Sequence, residues 1–393
     1  MKKINHICVV TNLFPPFPYE TAGMFLFNLL QAFVQEGVEC TVIRPVSLSK
    51  NIVKRIPLPP PVDRVGVDGG SIEVRSPRYI SFSDKNAFWL ERSYQAKARA
   101  VVREYKAIRR SFDAVYCQFL TSGRAGLLLH KKFGVPFFTA HGESDFTEQF
   151  DQYRKSMIVD FYVKSTGIIA VSTPIKQYIL DRFGNFDRKI TVEPNAINTQ
   201  VFYPRDRVES RAMLQIPQDQ TVVLFVGYLN VRKGATRLAE AVRDLKDIHA
   251  YFIGNADGDV PKQSENVHVL GEKIQSEVIT YLSAADMFVL PTRSEGSCNA
   301  IIEAMGCGLP VISSDRDFNK NILDDECAIL LDPNDIGQIR SAVQTLALDT
   351  ELRRKKAEVA LEKARSMDIS SRAKRILRFM ESKLMEGSEL DHE

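Results

Sequence analysis

MFVLPTRSEGSCNAIIEAMGCGLPVISS, Met287 to Ser314, reads as a strand, a loop, a helix and a second strand. MFVLPT and LPVISS are short, nearly continuous apolar runs, the pattern of strands covered on both faces. Between them Arg293 to Gly296 have loop character, and Cys298 to Met305 carry apolar residues at helical spacing, with Ser297 or Asn299 placed to cap the first turn. The stretch also holds two carboxylates. Glu295 lies in the loop and Glu303 one to two turns inside the helix, roughly 8 to 12 Å further along at about 1.5 Å per residue. Glycines flank both acids: Gly296 after the first, Gly306 and Gly308 after the second. Two acids on a solvated helix are the plain alternative, which the rest of the chain must decide.

The same alternation runs through most of the chain. HICVV (6–10), ECTVIRP (39–45), AVYCQF (114–119), PFFTAH (136–141), GIIAVS (167–172) and ITVEPN (190–195) are strand candidates of the first half. TVVLFVG (221–227), HAYFIG (249–254), VHVLG (267–271), MFVLPT (287–292) and LPVISS (309–314) continue the series. Helical patterns intervene, so parallel sheets in an α/β fold are expected. At 393 residues the chain exceeds what one core supports, and two doubly wound domains are expected. The polar, proline-punctuated stretch 201–220 is the linker candidate. IPLPPPVDRVGVDGG (56–70) is expected to be an irregular excursion, because its prolines and glycines exclude a regular helix. From about residue 353 to 383 a long amphipathic helical pattern runs on, and MEGSELDHE (385–393) is expected to fray.

Composition narrows the class. Hydrophobic content of 44% with 26% charge is that of a soluble globular protein. No apolar run reaches the roughly 18 to 20 residues that cross a bilayer. The N-terminal ICVV run is too short for a signal peptide and has no cleavage site after it, so it is expected to be the first buried strand. The six cysteines are scattered, without a C-x-x-C pair, and read as reduced, buried thiols of a cytoplasmic protein. Charge is uneven: residues 1–200 carry 27 Lys and Arg against 18 Asp and Glu, and the remainder 25 against 31. A basic first half fits an acidic partner, either an anionic membrane surface or an acceptor bearing phosphate or carboxylate. No aromatic-interleaved basic patch or binding motif supports nucleic acid. Residues 86–110 form a basic helix, either solvated or facing an acceptor or membrane, where Phe88, Trp89 and Leu90 present apolar tips.

In open parallel sheets ligands bind on the loops at the carboxyl ends of strands. After the first strand, Gly23 precedes an amphipathic helix whose N-terminus favours anions. After TVVLFV, the loop GYLNVRKG places Arg232 and Lys233 between Gly227 and Gly234, beside a helix start near Ala235. Two cations next to free helix amides suit a diphosphate. This is no Walker loop, since Ala235 stands where a magnesium-holding Ser or Thr would be. The Glu295–Glu303 span matches a sugar–diphosphate–ribose unit, with Glu303 on the ribose diol and Glu295 on sugar hydroxyls.

These residues resemble those of a known family. EGSCNAIIEAMGCGLPVI resembles the E-x7-E signature of retaining glycosyltransferases of the GT-B fold, specifically glycosyltransferase family 4. FVGYLNVRKG resembles that family's F-V-G-x-L-x-x-x-K-G segment, and IIAVSTPIKQYI with VEPNAINTQVFYP resembles its hinge-proximal run. TAHGESDF resembles its T-x-H-G-x-D segment, and the loop at Gly23 its N-terminal glycine loop. The likeness spans about residues 5 to 345 in order. It implies two Rossmann-like domains facing across a cleft: an acceptor-side domain at 1–205, a donor-binding domain at 206–365, and a C-terminal helix at 366–393 that returns to the first. It implies that Glu303 binds the ribose, Glu295 the donor sugar, and Lys233 with Arg232 the diphosphate. His141 would face the donor sugar, Gly23 would approach the phosphates, and Gly227 and the amides of Gly296, Ser297, Cys298 and Asn299 would contact the donor.

Three positions depart from the family pattern: Tyr228 replaces an Arg, Ala22 a second glycine, and Ala196 the glycine of Pro-Asn-Gly. The expected activity is retaining transfer from a nucleotide sugar, UDP-linked before GDP-linked, to a saccharide or lipid-linked acceptor in envelope polysaccharide synthesis. Cations and helix N-termini can stabilise the departing diphosphate, so neither cofactor nor metal is required and no D-x-D motif is present. The chain is expected in the cytoplasm, at the inner face of the membrane. A sugar-nucleotide epimerase of the same fold, or a non-catalytic nucleotide- or carbohydrate-binding relative, is the alternative.

Overall fold

The computed structural model describes residues 3–15, 23–82, 87–143 and 155–390. It divides into one unit of Met1–Glu193 with Ser370–Glu393 and a second of Pro194–Ile369. In the first unit, the strands are β1 (His6–Val10), β2 (Glu39–Ile43), β3 (Val46–Ser47), β4 (Val62–Val67), β5 (Gly70–Arg75), β6 (Arg78–Tyr79), β7 (Ala114–Gln118), β8 (Phe137–His141), β9 (Gly167–Ala170) and β10 (Ile190–Val192). Eight of them form a sheet in the order β10-β9-β8-β7-β1-β2-β5-β4, parallel except for the β4–β5 hairpin. Ile7 to Val10 and all of β7, β8 and β9 are buried, because helices cover both faces and no solvated side needs polar alternation.

The second unit is a six-stranded, wholly parallel sheet. Its strands are β11 (Thr221–Val226), β12 (Ile248–Ile253), β13 (Val267–Gly271), β14 (Met287–Leu290), β15 (Val311–Ser314) and β16 (Ala328–Leu331), in the order β13-β12-β11-β14-β15-β16. Chain order therefore reverses between β11 and β14, which creates a crevice beyond their carboxyl ends. The expected fold class holds.

Four local expectations are corrected. Within 56–70, VDRVGV pairs antiparallel with β5, Val65 facing Ile72, around an Asp68-Gly69 turn. The turn dipeptide and the spaced valines outweigh the prolines, which all precede the strand. The stretch 201–220 is no linker. Ile197 and Phe202 sit in the second unit's core, and Arg207–Leu214 is a helix. The first unit therefore closes at Glu193, ahead of position 205. Arg211 on that helix is buried, bonds Asp286 at 2.7 Å, and donates to the carbonyls of Ala284, Gln218 and Gln220 at 2.8 to 2.9 Å. The terminal pattern breaks into Thr350–Ser366 and Ile369–Leu390, and the second of these carries helix into the expected tail as far as Leu390. The basic helix is Ala87–Ala107, and Lys97 on it is buried rather than solvated; desolvation lowers its amine to about 7.

The final helix packs within the first unit. Ile4 N donates to Glu381 (3.0 Å), Arg375 pairs with Glu193 (2.8 Å), and Phe379 meets Phe138 edge-on. All six cysteines are buried free thiols. Among the described residues no helix is long and apolar enough to cross a membrane.

Arg211→Ala would strip a buried carboxylate and three carbonyls of one shared donor. Urea unfolding should report a loss of about 3–5 kcal/mol in the second unit. A loss below ~1 kcal/mol would mean that the segment is peripheral to this fold.

Candidate active site

The two loops at the switch point carry the charges. After β11 the chain passes Gly227, and Asn230 Oδ1 accepts the Lys233 amide at 3.0 Å, curling the loop so that Arg232 and Lys233 turn inward. The turn closes at Gly234 (φ 83°), where a side chain would meet the Pro291 carbonyl at 2.6 Å, so only glycine lets the two loops touch. After β14, Thr292 and Glu295 project back toward this turn.

One carboxylate oxygen gathers the site. Glu295 Oε1 accepts from Lys233 Nζ at 2.6 Å, from Arg232 Nη1 at 2.9 Å and from Thr292 Oγ1 at 2.9 Å. Arg232 Nη1 also donates to the Ser294 carbonyl at 2.6 Å. Lys233 and Glu295 are both buried. Burial works against the lysine's charge, but Glu295 outweighs it and the amine pKa is raised, so Lys233 is protonated at neutral pH. Burial pushes the neighbouring Cys298 thiol up to about 11, so it stays neutral. With Oε1 saturated, no donor among the described residues bonds Glu295 Oε2.

The helix Asn299–Gly306 starts at Cys298, whose side chain makes no capping bond, so neither expected cap forms. Ser297 Oγ instead accepts the Asn195 amide at 3.1 Å, and Asn195 Nδ2 donates to the Ser297 carbonyl at 3.1 Å. The first-turn amides therefore have no side-chain acceptor, and the Asn299 Oδ1 is buried without a partner. The first-turn amides, with Gly296 ahead of them, are the positive end of a helix lying next to the cation pair. Glu303 lies on the same helix, half-buried, and desolvation lifts its carboxyl to about 7. No cation among the described residues pairs with it. Gly306 and Gly308, which flank Glu303 in sequence, make room for a neighbouring segment. A side chain at Gly306 would strike Ile197 and Phe202, and one at Gly308 would press on Pro204. These glycines seat the incoming 194–205 segment rather than a ligand.

Two residues of this site were not legible in the sequence. Arg237 braces three loops at once, donating to Val231 O (2.7 Å), Pro291 O (2.8 Å) and Pro333 O (2.6 Å). Gly254, after β12, lies so close to the Gly227 carbonyl that no Cβ would fit. Neither sits in a recognisable motif, and their partners are remote in sequence.

Gly23 and His141 belong to the first unit. Gly23 (φ 90°) opens the helix Met24–Gln35, and a side chain there would collide with the Leu13 carbonyl at 2.6 Å. Ala22 lies outside the described residues, as does TAHGESDF from Ser144 onward. His141 ends β8 and is fully buried, with Nδ1 3.4 Å from Glu143 and Nε2 3.3 Å from the Tyr162 hydroxyl. Glu143, also unforeseen, accepts from the amides of Leu120 (2.8 Å) and Gly142 (2.9 Å). Burial alone would raise its pKa; His141, the Leu120 amide and its own amide outweigh that and lower it, so a carboxylate orients the ring. Among the described residues no three His, Cys, Asp or Glu side chains converge as a metal ligand set.

Known proteins resemble this chain in sequence and in fold. Residues 220–349 match the family Glycosyl transferases group 1, and residues 22–201 match Glycosyltransferase Family 4. TuaC of Bacillus subtilis, assigned to teichuronic acid biosynthesis as a glycosyltransferase, is 25% identical over 85% of this chain and 87% of its own length. A D-inositol 3-phosphate glycosyltransferase of Mycobacterium sp. is 26% identical over 60% of this chain, which spans only 59% of that protein. In fold, sucrose-phosphate synthase of Thermosynechococcus elongatus superposes with a TM-score of 0.78 at 19% identity, covering 96% of this chain and 98% of its own. HepE of Anabaena, solved in complex with UDP-glucose, superposes at 0.73 and 15% identity, covering 96% and 99%.

The raised Glu303 pKa has a measurable cost. Between its ordinary 4.5 and about 7, the folded chain holds a proton that the unfolded chain has released, so stability falls as pH rises through that window. Glu303→Gln should therefore be the more stable protein near pH 8, by up to about 3 kcal/mol, and match the parent near pH 4. Thermal melts at both pH values check this. A variant less stable at pH 8 would make Glu303 a structural residue.

Proposed function

The chain is a glycosyltransferase of family 4 with the GT-B fold, and from its second unit we propose a retaining, metal-independent transfer from a nucleotide sugar, UDP-linked before GDP-linked, to a saccharide or lipid-linked acceptor. The observation that carries this reading is the Glu295 oxygen holding Lys233 and Arg232 together at the switch point, beside uncapped helix amides.

When the bond between the anomeric carbon and the diphosphate breaks, negative charge develops on the departing phosphate. A preorganised ammonium, a guanidinium and helix amides can neutralise it without reorganisation, the compensation a divalent ion provides elsewhere. Glu295 keeps the two cations aligned through Oε1 and offers Oε2 to sugar hydroxyls. Glu303 is a carboxylate short of donors, and a ribose diol supplies two. Gly227 lets the backbone run close to the phosphates. Tyr228, at the departure from the family pattern, is half-exposed, and Arg232 supplies the second cation in its place. His141, oriented by Glu143, is assigned to the donor sugar. The UDP and UDP-glucose held by HepE support the uridine preference, and the assignment of TuaC to teichuronic acid biosynthesis supports an envelope glycan as product. A basic first half supports an anionic acceptor presented at the inner membrane face.

Calorimetric titration with UDP should give binding that Glu303→Ala weakens about 100-fold, through loss of two charge-assisted hydrogen bonds. Unchanged affinity would remove Glu303 from the site. Lys233→Ala should lower kcat by about 100-fold or more while UDP affinity changes far less. Turnover that survives both this substitution and a chelator would leave the clamp without a catalytic role; turnover abolished by the chelator alone would overturn metal independence. NMR of the product anomer tests retention directly.

A further inference from the structure

The first unit leaves an unusual amount of apolar side chain in water at one place. In the helix Leu48–Lys54 no residue is buried, and Ile52 and Val53 are 71% and 82% exposed. Phe88 and Trp89, at the start of the helix Ala87–Ala107, are 56% and 44% exposed. These two sites are neighbours. Ser49 Oγ donates to the Ser81 carbonyl at 2.7 Å, the next residue's amide, Phe82 N, donates to Ser93 Oγ at 2.7 Å, and Phe82 stacks 5.3 Å from Trp89. Ile52 and Val53 stand three and four residues after Ser49, on its side of the helix. The segment that links them adds Ile80 and Phe82, 59% and 41% exposed.

The charge of these segments is one-sided. Segments 48–58, 78–82 and 87–92 carry Lys50, Lys54, Arg55, Arg78 and Arg92, all exposed, and a single acid, Glu91, which Arg124 holds at 2.6 Å. Arg92 lies 5.2 Å over the Phe88 ring, so cation and aromatic tip share one position. Exposed aliphatic and aromatic tips ringed by cations match a bilayer interface, where tips enter the headgroup layer and cations meet anionic lipid. A second copy of the chain is a poorer occupant, because a two-fold contact would bring the same five cations against themselves.

The face also has a definite place in the fold. Its segments follow β2 and β5 by way of the short paired strands β3 and β6, beyond the carboxyl ends of those strands. Gly23 comes after β1 and His141 ends β8 at this same end of the sheet. We propose that this face docks the first unit on an anionic lipid surface, so that a lipid-linked acceptor reaches the ligand-binding end of its sheet from the bilayer. The docking rests on exposure and charge alone; its purpose rests on the acceptor reading above.

Trp89 is the only tryptophan in the chain, so its fluorescence reports the contact directly. Full-length protein should float with phosphatidylcholine vesicles containing about one third phosphatidylglycerol, with Trp89 emission shifting blue, and remain unbound with phosphatidylcholine alone. Raising salt should release it. Ile52→Asp with Val53→Asp should cut flotation at least tenfold, and Lys54→Glu with Arg92→Glu by about fivefold per charge. UDP affinity measured in parallel should stay unchanged in both variants, which separates failure of docking from failure of the donor site. Equal binding to neutral vesicles, an unshifted Trp89, or full flotation of the Ile52/Val53 variant would each overturn the proposal. So would sedimentation showing a dimer that the same variant dissociates.

Discussion

Three donors on one oxygen of Glu295 are the contact around which the second unit is arranged. A buried carboxylate with a single cation is a weak stabiliser, because desolvation of both charges offsets their attraction. Here Lys233, Arg232 and a threonine hydroxyl share the cost, and the remaining oxygen keeps its lone pairs. The consequence reaches outward. Lys233 must turn in, so Asn230 curls its loop; the loops must touch, so position 234 carries no side chain; and Arg237 must tie three carbonyls to hold them there. The clamp is thus a property of the sheet order, which brings the ends of β11 and β14 side by side.

Stability is given up at the same place. Glu303 has no partner among the described residues and is half-buried, so its carboxylate is strained electrostatically in the free protein. The helix ahead of it starts without a side-chain cap, leaving amides that a Ser or Asp at the N-cap would satisfy. Both features cost the free fold, as groups left for a partner to satisfy do. The first unit shows the opposite economy. His141 is satisfied on both nitrogens, and Glu143 accepts two backbone amides, so that network is stable as it stands.

Much of this was legible in the residues. Buried strands announce themselves as apolar runs, and the loops after them carried Arg232, Lys233, Glu295 and Glu303 in recognisable spacing. Other features were not. Glu143 looked like any loop acid until β7 and β8 placed the Leu120 amide beside it. Arg211 looked like a solvated cation in a polar linker, yet it is buried on a carboxylate 75 residues away. Gly306 looked like no more than a glycine flanking an acid and is room for Ile197. In each case the deciding partner is distant in sequence and leaves no local pattern.

Periodicity and turn chemistry are local, and they sufficed to determine from the sequence alone the parallel α/β class, the two domains and the identity of the charged residues on the loops at the switch point. What those residues touch is decided by strand order. Only the tertiary structure shows that Glu295 binds its cations through one oxygen, that the helix start is uncapped, and that two separate segments with exposed apolar tips are brought side by side. Contacts of that kind depend on which strand ends become neighbours, and that is a property of the whole sheet.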